Sequence, residues 1–224
     1  MPVRDEREGP MFGSVMTGGT AVALAAALLS PGTAVEERPP PGSVAVELRT
    51  VNGSGCGVRT SLAVAPDYSG FITSYESSPA RVGVGSRPGE ARRICQLALD
   101  VQFPRGFTYA ITGTEHTGYA RLAKGATGQL TVRHYVQAVP SWPTRTHRFT
   151  GPYDDVWETA DFDDVGTAEY APCGERRLLT LSTELRVDAG TSDPATTTSE
   201  LGLNDTGSDT VARYRLAWKR CPAV

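Results

Sequence analysis

Lysine is almost missing from this chain: of 22 basic residues among 224, only Lys124 and Lys219 are lysines. That habit belongs to a GC-rich genome and carries no function. Against 25 acidic residues the basic set leaves a net charge of −3, so no positive surplus exists to neutralise a nucleic-acid backbone. Phe (6), Trp (3) and Met (3) are scarce, yet 39% of residues are apolar, too many for a wholly disordered chain. No two cysteines stand in Cys-x-x-Cys spacing, which argues against a zinc ribbon and a thioredoxin-type centre. No Gly-x-Ser-x-Gly elbow is present, and nothing marks a Ser-His-Asp triad. Beyond residue 34 no apolar run reaches 18 residues, so no helical membrane anchor is expected there. The same region lacks a sustained apolar period of 3.6, so it is poor in helices.

What the N-terminus does carry is a stretch reading TAVALAAALLSPGTA over residues 20–34. Its apolar part is too short for the ~20 residues of a spanning helix. It ends in a Ser-Pro-Gly break followed by Gly32-Thr33-Ala34, small residues of the kind a signal peptidase accepts. Residues 1–34 therefore read as a signal peptide, although Asp5, Glu6 and Glu8 dilute the usual positive start. No cysteine follows the apolar run, which argues against lipid attachment. Residues 35–42, VEERPPPG, read as a Pro-rich tether, and 43–224 as one domain secreted to the extracellular space.

Cys56, Cys95, Cys173 and Cys221 all lie in the exported part, and an even count outside the cell reads as disulfides. Three connectivities are possible. Pairs 56–95 and 173–221 are favoured because each brackets its own group of candidate strands.

Those strands announce themselves by period-2 alternation. Val44, Val46 and Leu48 share a face, and so do Leu97, Leu99, Val101 and Phe103. Phe107, Tyr109 and Ile111 follow the turn Pro104-Arg105-Gly106, which predicts a hairpin with the preceding strand. Leu130 to Val136, Leu179 to Val187 and Ala212 to Trp218 repeat the pattern. Shorter candidates cover 61–65, 71–74, 144–150 and 200–203. About ten strands separated by turns such as Asn52-Gly53, Pro66-Asp67 and Asn204-Asp205 predict an all-β fold: a single antiparallel β-sandwich or jelly-roll-like domain with two disulfides.

An ordered set of motifs carries a family resemblance. Val51-Asn52-Gly53-Ser54-Gly55-Cys56, Cys95-Gln96-Leu97, Pro104-Arg105-Gly106-Phe107-Thr108-Tyr109 and Gly151-Pro152-Tyr153-Asp154-Asp155 come first. Pro172-Cys173-Gly174, Thr183-Glu184-Leu185-Arg186-Val187 and Trp218-Lys219-Arg220-Cys221 follow. The set resembles the domain-of-unknown-function 4360 family, small secreted proteins of high-GC bacteria and fungi. The resemblance implies export, four paired cysteines and one β domain. It implies no activity and no catalytic residues.

Several clusters invite chemistry. A symmetric hairpin around 139–143 places His134 opposite His147, where two imidazoles could ligate zinc or copper, although His134 also suits a hydrogen-bonded core position. Asp100, Glu115 and Glu184 sit on candidate strands and could pair across a cleft for glycoside hydrolysis, or simply deck a solvated sheet face. The acidic segment 153–164 reads as a loop in which Asp154, Asp155 and Asp161 could hold calcium, the commoner outcome being solvated charge. Tyr68, Tyr75, Trp142, Tyr153 and Trp157 could stack on sugar rings. The leading expectation is a non-enzymatic domain that binds extracellular polysaccharide, cell wall or protein; the alternative is a secreted hydrolase acting on such a polymer. Intact-mass measurement of the secreted chain should show it beginning at Val35, whereas a secreted form retaining Met1 or Met11 contradicts the signal-peptide reading.

Overall fold

The computed structural model describes residues 37–139, 143–203 and 212–222; the signal-peptide reading, the turn at Asn204-Asp205 and the aromatic Trp142 lie outside the described residues. Twelve strands follow in chain order: β1 (Ala45–Asn52), β2 (Cys56–Val64), β3 (Gly70–Ser77), β4 (Ala80–Gly83), β5 (Arg92–Gln102), β6 (Phe107–Leu122), β7 (Thr127–Val136), β8 (Thr144–Thr150), β9 (Tyr153–Phe162), β10 (Leu179–Asp188), β11 (Thr198–Leu203) and β12 (Ala212–Arg220). Among the described residues the only helical element is a 3-10 turn at Pro88–Ala91. All strand pairs are antiparallel, as the alternating sequence requires.

The strands form two sheets that enclose one core. The five-stranded sheet runs β1-β5-β10-β7-β8, and the seven-stranded sheet runs β2-β3-β12-β6-β11-β4 with β9 on the other flank of β6. Inward positions follow the alternation: Leu97, Leu99 and Val101 on β5, Leu130 and Val132 on β7, Leu179, Leu181 and Leu185 on β10 are all buried. Facing them, Phe71 stacks on Tyr214 with centroids 4.9 Å apart, and Trp218 packs against Tyr109 and Phe103. Trp218 also donates its indole N–H to the Tyr68 carbonyl at 2.8 Å, satisfying its one polar atom in the core.

Two sequence expectations change. Pro104-Arg105-Gly106 does not close a hairpin: β5 lies in one sheet and β6 in the other, so the turn carries the chain across the sandwich. The reason is burial. Leu97, Leu99 and Val101 cannot share an edge with Tyr109 and Ile111 and also cover them, and facing them across the core removes both sets from water. The Pro-rich tether is likewise docked at its end. Pro39 is buried, the Tyr68 hydroxyl accepts a bond from the Gly42 N–H, and Arg38 pairs with Asp67 at 2.6 Å.

The cysteines pair as 56–95 and 173–221. The first staples β2 of the larger sheet to β5 of the smaller; the second ties the connection before β10 to the end of β12. They span 39 and 48 residues, so each restricts the unfolded chain by an amount on the order of 3–4 kcal/mol. Replacing Cys56 and Cys95 together by Ser should therefore lower the melting temperature by roughly 10 °C, at ~2–4 °C per kcal/mol for a domain of this size, as read by differential scanning calorimetry.

Candidate functional site

The acidic segment is a strand, which corrects the calcium expectation. Alternation along β9 sends Asp154 to the outer face and Asp155 and Asp161 to the inner one, and six residues of strand separate the last two by ~20 Å. Asp154 lies against Arg121 at 3.5 Å and Asp161 against His147 at 2.9 Å. Three carboxylates so dispersed cannot share one ion, and among the described residues no group of three His, Cys, Asp or Glu side chains is arranged to hold a metal.

The histidines also fall differently. β7 and β8 do form a hairpin, but His147 faces Leu130 and the β8 pairing stops at Arg133, so His134 is not its partner. The connection uses more residues from the β7 side than a symmetric loop would. Even so, the fold gathers all three imidazoles near one end of the core. His147 links β8 to Asp161 on β9; beside it Arg145 pairs with Asp163, and Phe149 packs on Trp157 at 5.1 Å. These contacts join the free edges of the two sheets. His116, on the inner face of β6, is buried, and among the described residues neither ring nitrogen finds a partner. Burial pushes its pKa down to about 4, opposed by Asp161 and reinforced by His147 and His134. Burial also lowers His134 to about 4, against the pull of Asp163 and with a smaller push from Arg145. A pocket of ≈ 290 Å³ opens here, with His134 and Ile111 buried in its lining and Asp163 and Glu169 among its polar walls.

None of the carboxylates proposed for hydrolysis faces another across a cleft. Asp100 and Glu184 belong to the smaller sheet, held by Arg49 at 2.5 Å and Arg92 at 2.7 Å, while Glu115 belongs to the larger. Burial pushes the Glu115 carboxyl upward, but hydrogen bonds from Arg215 and Arg213 prevail and hold it below its usual range. The Arg92 bond does the same to Glu184. Groups held ionised in this way cannot serve as general acids.

The more extended feature is the outer face of the larger sheet, along β6. Outward positions Gly113, Glu115, Thr117, Tyr119 and Arg121 alternate with the inward row. At one end Phe162 of β9, 55% exposed, lies over Gly113, where an added Cβ would come 2.8 Å from its ring; the Arg215 guanidinium sits 4.6 Å above that ring. At the other end Tyr119 rests on Gly202 of β11, whose added Cβ would come 2.5 Å from the ring, with Arg121 at 5.5 Å. The two rings are ~20 Å apart by strand rise. Between them lies a pocket of ≈ 230 Å³ lined by Glu115, Thr117, Glu158 and Arg213 among others, and a second of ≈ 440 Å³ continues past Arg213 and Arg215 over Ala63, Ala65, Gly70 and Ile72. The arginines here are paired with carboxylates. Glu115 accepts from Arg213 and Arg215, and Glu200 accepts from Arg81 and Arg121. Sequence alternation marked Glu115, but Tyr119 and Phe162 gave no signal because the glycines that seat them are on other strands.

A family model described as "Domain of unknown function (DUF4360)" matches residues 42–221. The chain belongs to this family. An "Uncharacterized secreted protein" of Arthroderma benhamiae is 27% identical to the DUF4360 chain over 162 residues, covering 72% of it and 66% of the relative. The chain thus spans about two thirds of the length of the curated relative it matches. No solved structure matches. A relative described as secreted and two disulfides both fit a DUF4360 domain folded in an oxidising compartment.

Two buried neutral imidazoles make stability depend on pH. Their folded pKa values lie below the unfolded ~6.5, so the unfolded chain binds more protons; stability is full above pH 6.5 and falls as pH drops towards 4, by ~1.4 kcal/mol per unit for each histidine. Thermal melts should be level above pH 7 and fall by on the order of 10 °C between pH 6.5 and 4.5. His116→Leu should reduce that slope.

Proposed function

We propose that this DUF4360 chain is a secreted, non-enzymatic domain that binds an extracellular polysaccharide along β6 on the outer face of its larger sheet. The carrying observation is the pair of rings, Tyr119 and Phe162, seated on Gly202 and Gly113 at the two ends of a shallow groove. Flat aromatic faces accept the C–H faces of sugar rings, and between them the paired Glu115, Arg213 and Arg215, with Thr117 and Glu158, supply hydrogen-bond donors and acceptors. An extended polymer suits a groove of this length better than a compact protein knob does.

Charge supports a neutral polymer. Arg81, Arg121, Arg213 and Arg215 are matched on this face by Asp154, Glu115, Glu158 and Glu200, so no net field selects an anionic or cationic chain. Affinity should then vary little with ionic strength.

A second reading, hydrolysis of such a polymer, rests on the pocket that brings His134 together with Asp163 and Glu169. One experiment addresses both. The purified chain is mixed with insoluble cellulose, chitin and β-1,3-glucan at low and high salt, and the pellet and the released reducing ends are measured. Retention on one polymer, little changed by salt, lost at least tenfold in Tyr119→Ala/Phe162→Ala and without reducing-end release, is the expected result. Failure to sediment with any polymer, or retention indifferent to the double substitution, overturns the groove; release of reducing ends establishes the hydrolase instead.

A further inference from the structure

The inner face of the larger sheet carries a row of polar side chains that no described residue serves. Thr73 of β3, Ala212 of β12, His116 of β6 and Thr159 of β9 are register partners across four strands. Among the described residues Thr73 Oγ1, Thr159 Oγ1 and both ring nitrogens of His116 are buried without a hydrogen-bond partner, and so is Nε1 of Trp157, the next inward residue of β9. Trp157 is brought close by Gly118, over which its ring lies so tightly that an added Cβ would come 2.3 Å from it.

We propose that these side chains line an internal hydration site, in which ordered water molecules bridge Thr73, His116, Trp157 and Thr159 behind the seam between β8 and β9.

Three observations carry it. Five buried polar atoms without a partner among the described residues would together cost a large fraction of a domain's net stability if left dry, which favours water as the group that satisfies them. Their chemistry fits water and not an ion. The indole is a donor only, the neutral imidazole offers one donor and one acceptor, and each hydroxyl offers both, which matches the two protons and two lone pairs of water. Spacing fits as well. Thr73 and His116 stand two strands apart, ~10 Å, with the small Ala212 between them, too far for direct contact and suited to bridging molecules. The charged and titratable groups facing His116 are Asp161 on the neighbouring β9, His147 across the seam on β8 and His134 from β7, with Asp163 and Arg145 beyond. Among the described residues no group of three His, Cys, Asp or Glu side chains is placed to hold a cation, and an anion would meet Asp161.

Thr→Val at these positions keeps the side-chain volume and removes only the hydroxyl, so the sign of the change in melting temperature is the readout. If water is bound, Thr73→Val and Thr159→Val strand a water hydrogen bond, and each lowers the melting temperature by several degrees. If the hydroxyls are dry, both variants remove an unsatisfied group and the melting temperature rises, which overturns the proposal. The unsubstituted chain gives an independent measurement: water-oxygen magnetic relaxation dispersion should detect long-lived internal water, and His116 should show a neutral ring with both nitrogens hydrogen-bonded in nitrogen NMR. A flat dispersion profile with free-nitrogen shifts also overturns it.

Discussion

A strand of 16 residues exposes backbone donors and acceptors along both edges, and all of them must be paired. That requirement on β6 organises the molecule. One edge is too long for a single partner, so β12 serves Phe107 to His116 and β11 takes over at Gly118, while β9 covers the other edge from Gly113 to Leu122. The register shift at Thr112, unpaired on the β12 side, reverses the facing of β6 halfway along. Tyr109 and Ile111 point inward before it, His116 and Ala120 after it. The polar end of the core and the apolar end thus belong to one continuous strand.

The same demand explains why an acidic segment became a strand. Tyr153–Phe162 has the charge of a loop, and its carboxylates show no simple alternation with apolar residues. Only Trp157 is buried, against Phe149. Its strand state is set by the unpaired edge of β6, a non-local cause that no window of sequence contains. β4, four residues long, was hidden in the same way, because its pairing with β11 defines it and its composition does not.

What local chemistry controls was legible. Period-2 alternation in β5, β7, β10 and β12 located the core, and the bracketing of strand groups by cysteines anticipated which pair with which. Register was not legible. His134 and His147 differ from the symmetric pairing because strand β8 stops opposite Arg133, and alternation is satisfied equally by any shift of two residues. The groove was invisible for a related reason. Phe162 needs Gly113 and Tyr119 needs Gly202, each partner far away along the chain, and a glycine in a strand looks like a weakness until its neighbour's ring is placed on it.

The free side of β9 has one more effect, on encounters between copies of the protein. Among the described residues β9 forms strand pairs only with β6, so the part of its outer edge that the side chains of β8 do not cover is open to a passing strand. Asp154, Asp155 and Glu158 are exposed along it, and Pro152 stands just before its first residue. Two molecules approaching edge to edge bring the same sign of charge together within a few ångströms and must also strip water from those carboxylates. At high concentration the edge therefore discourages the stacking that would build fibres, and its exposed carboxylates act as a guard against self-association.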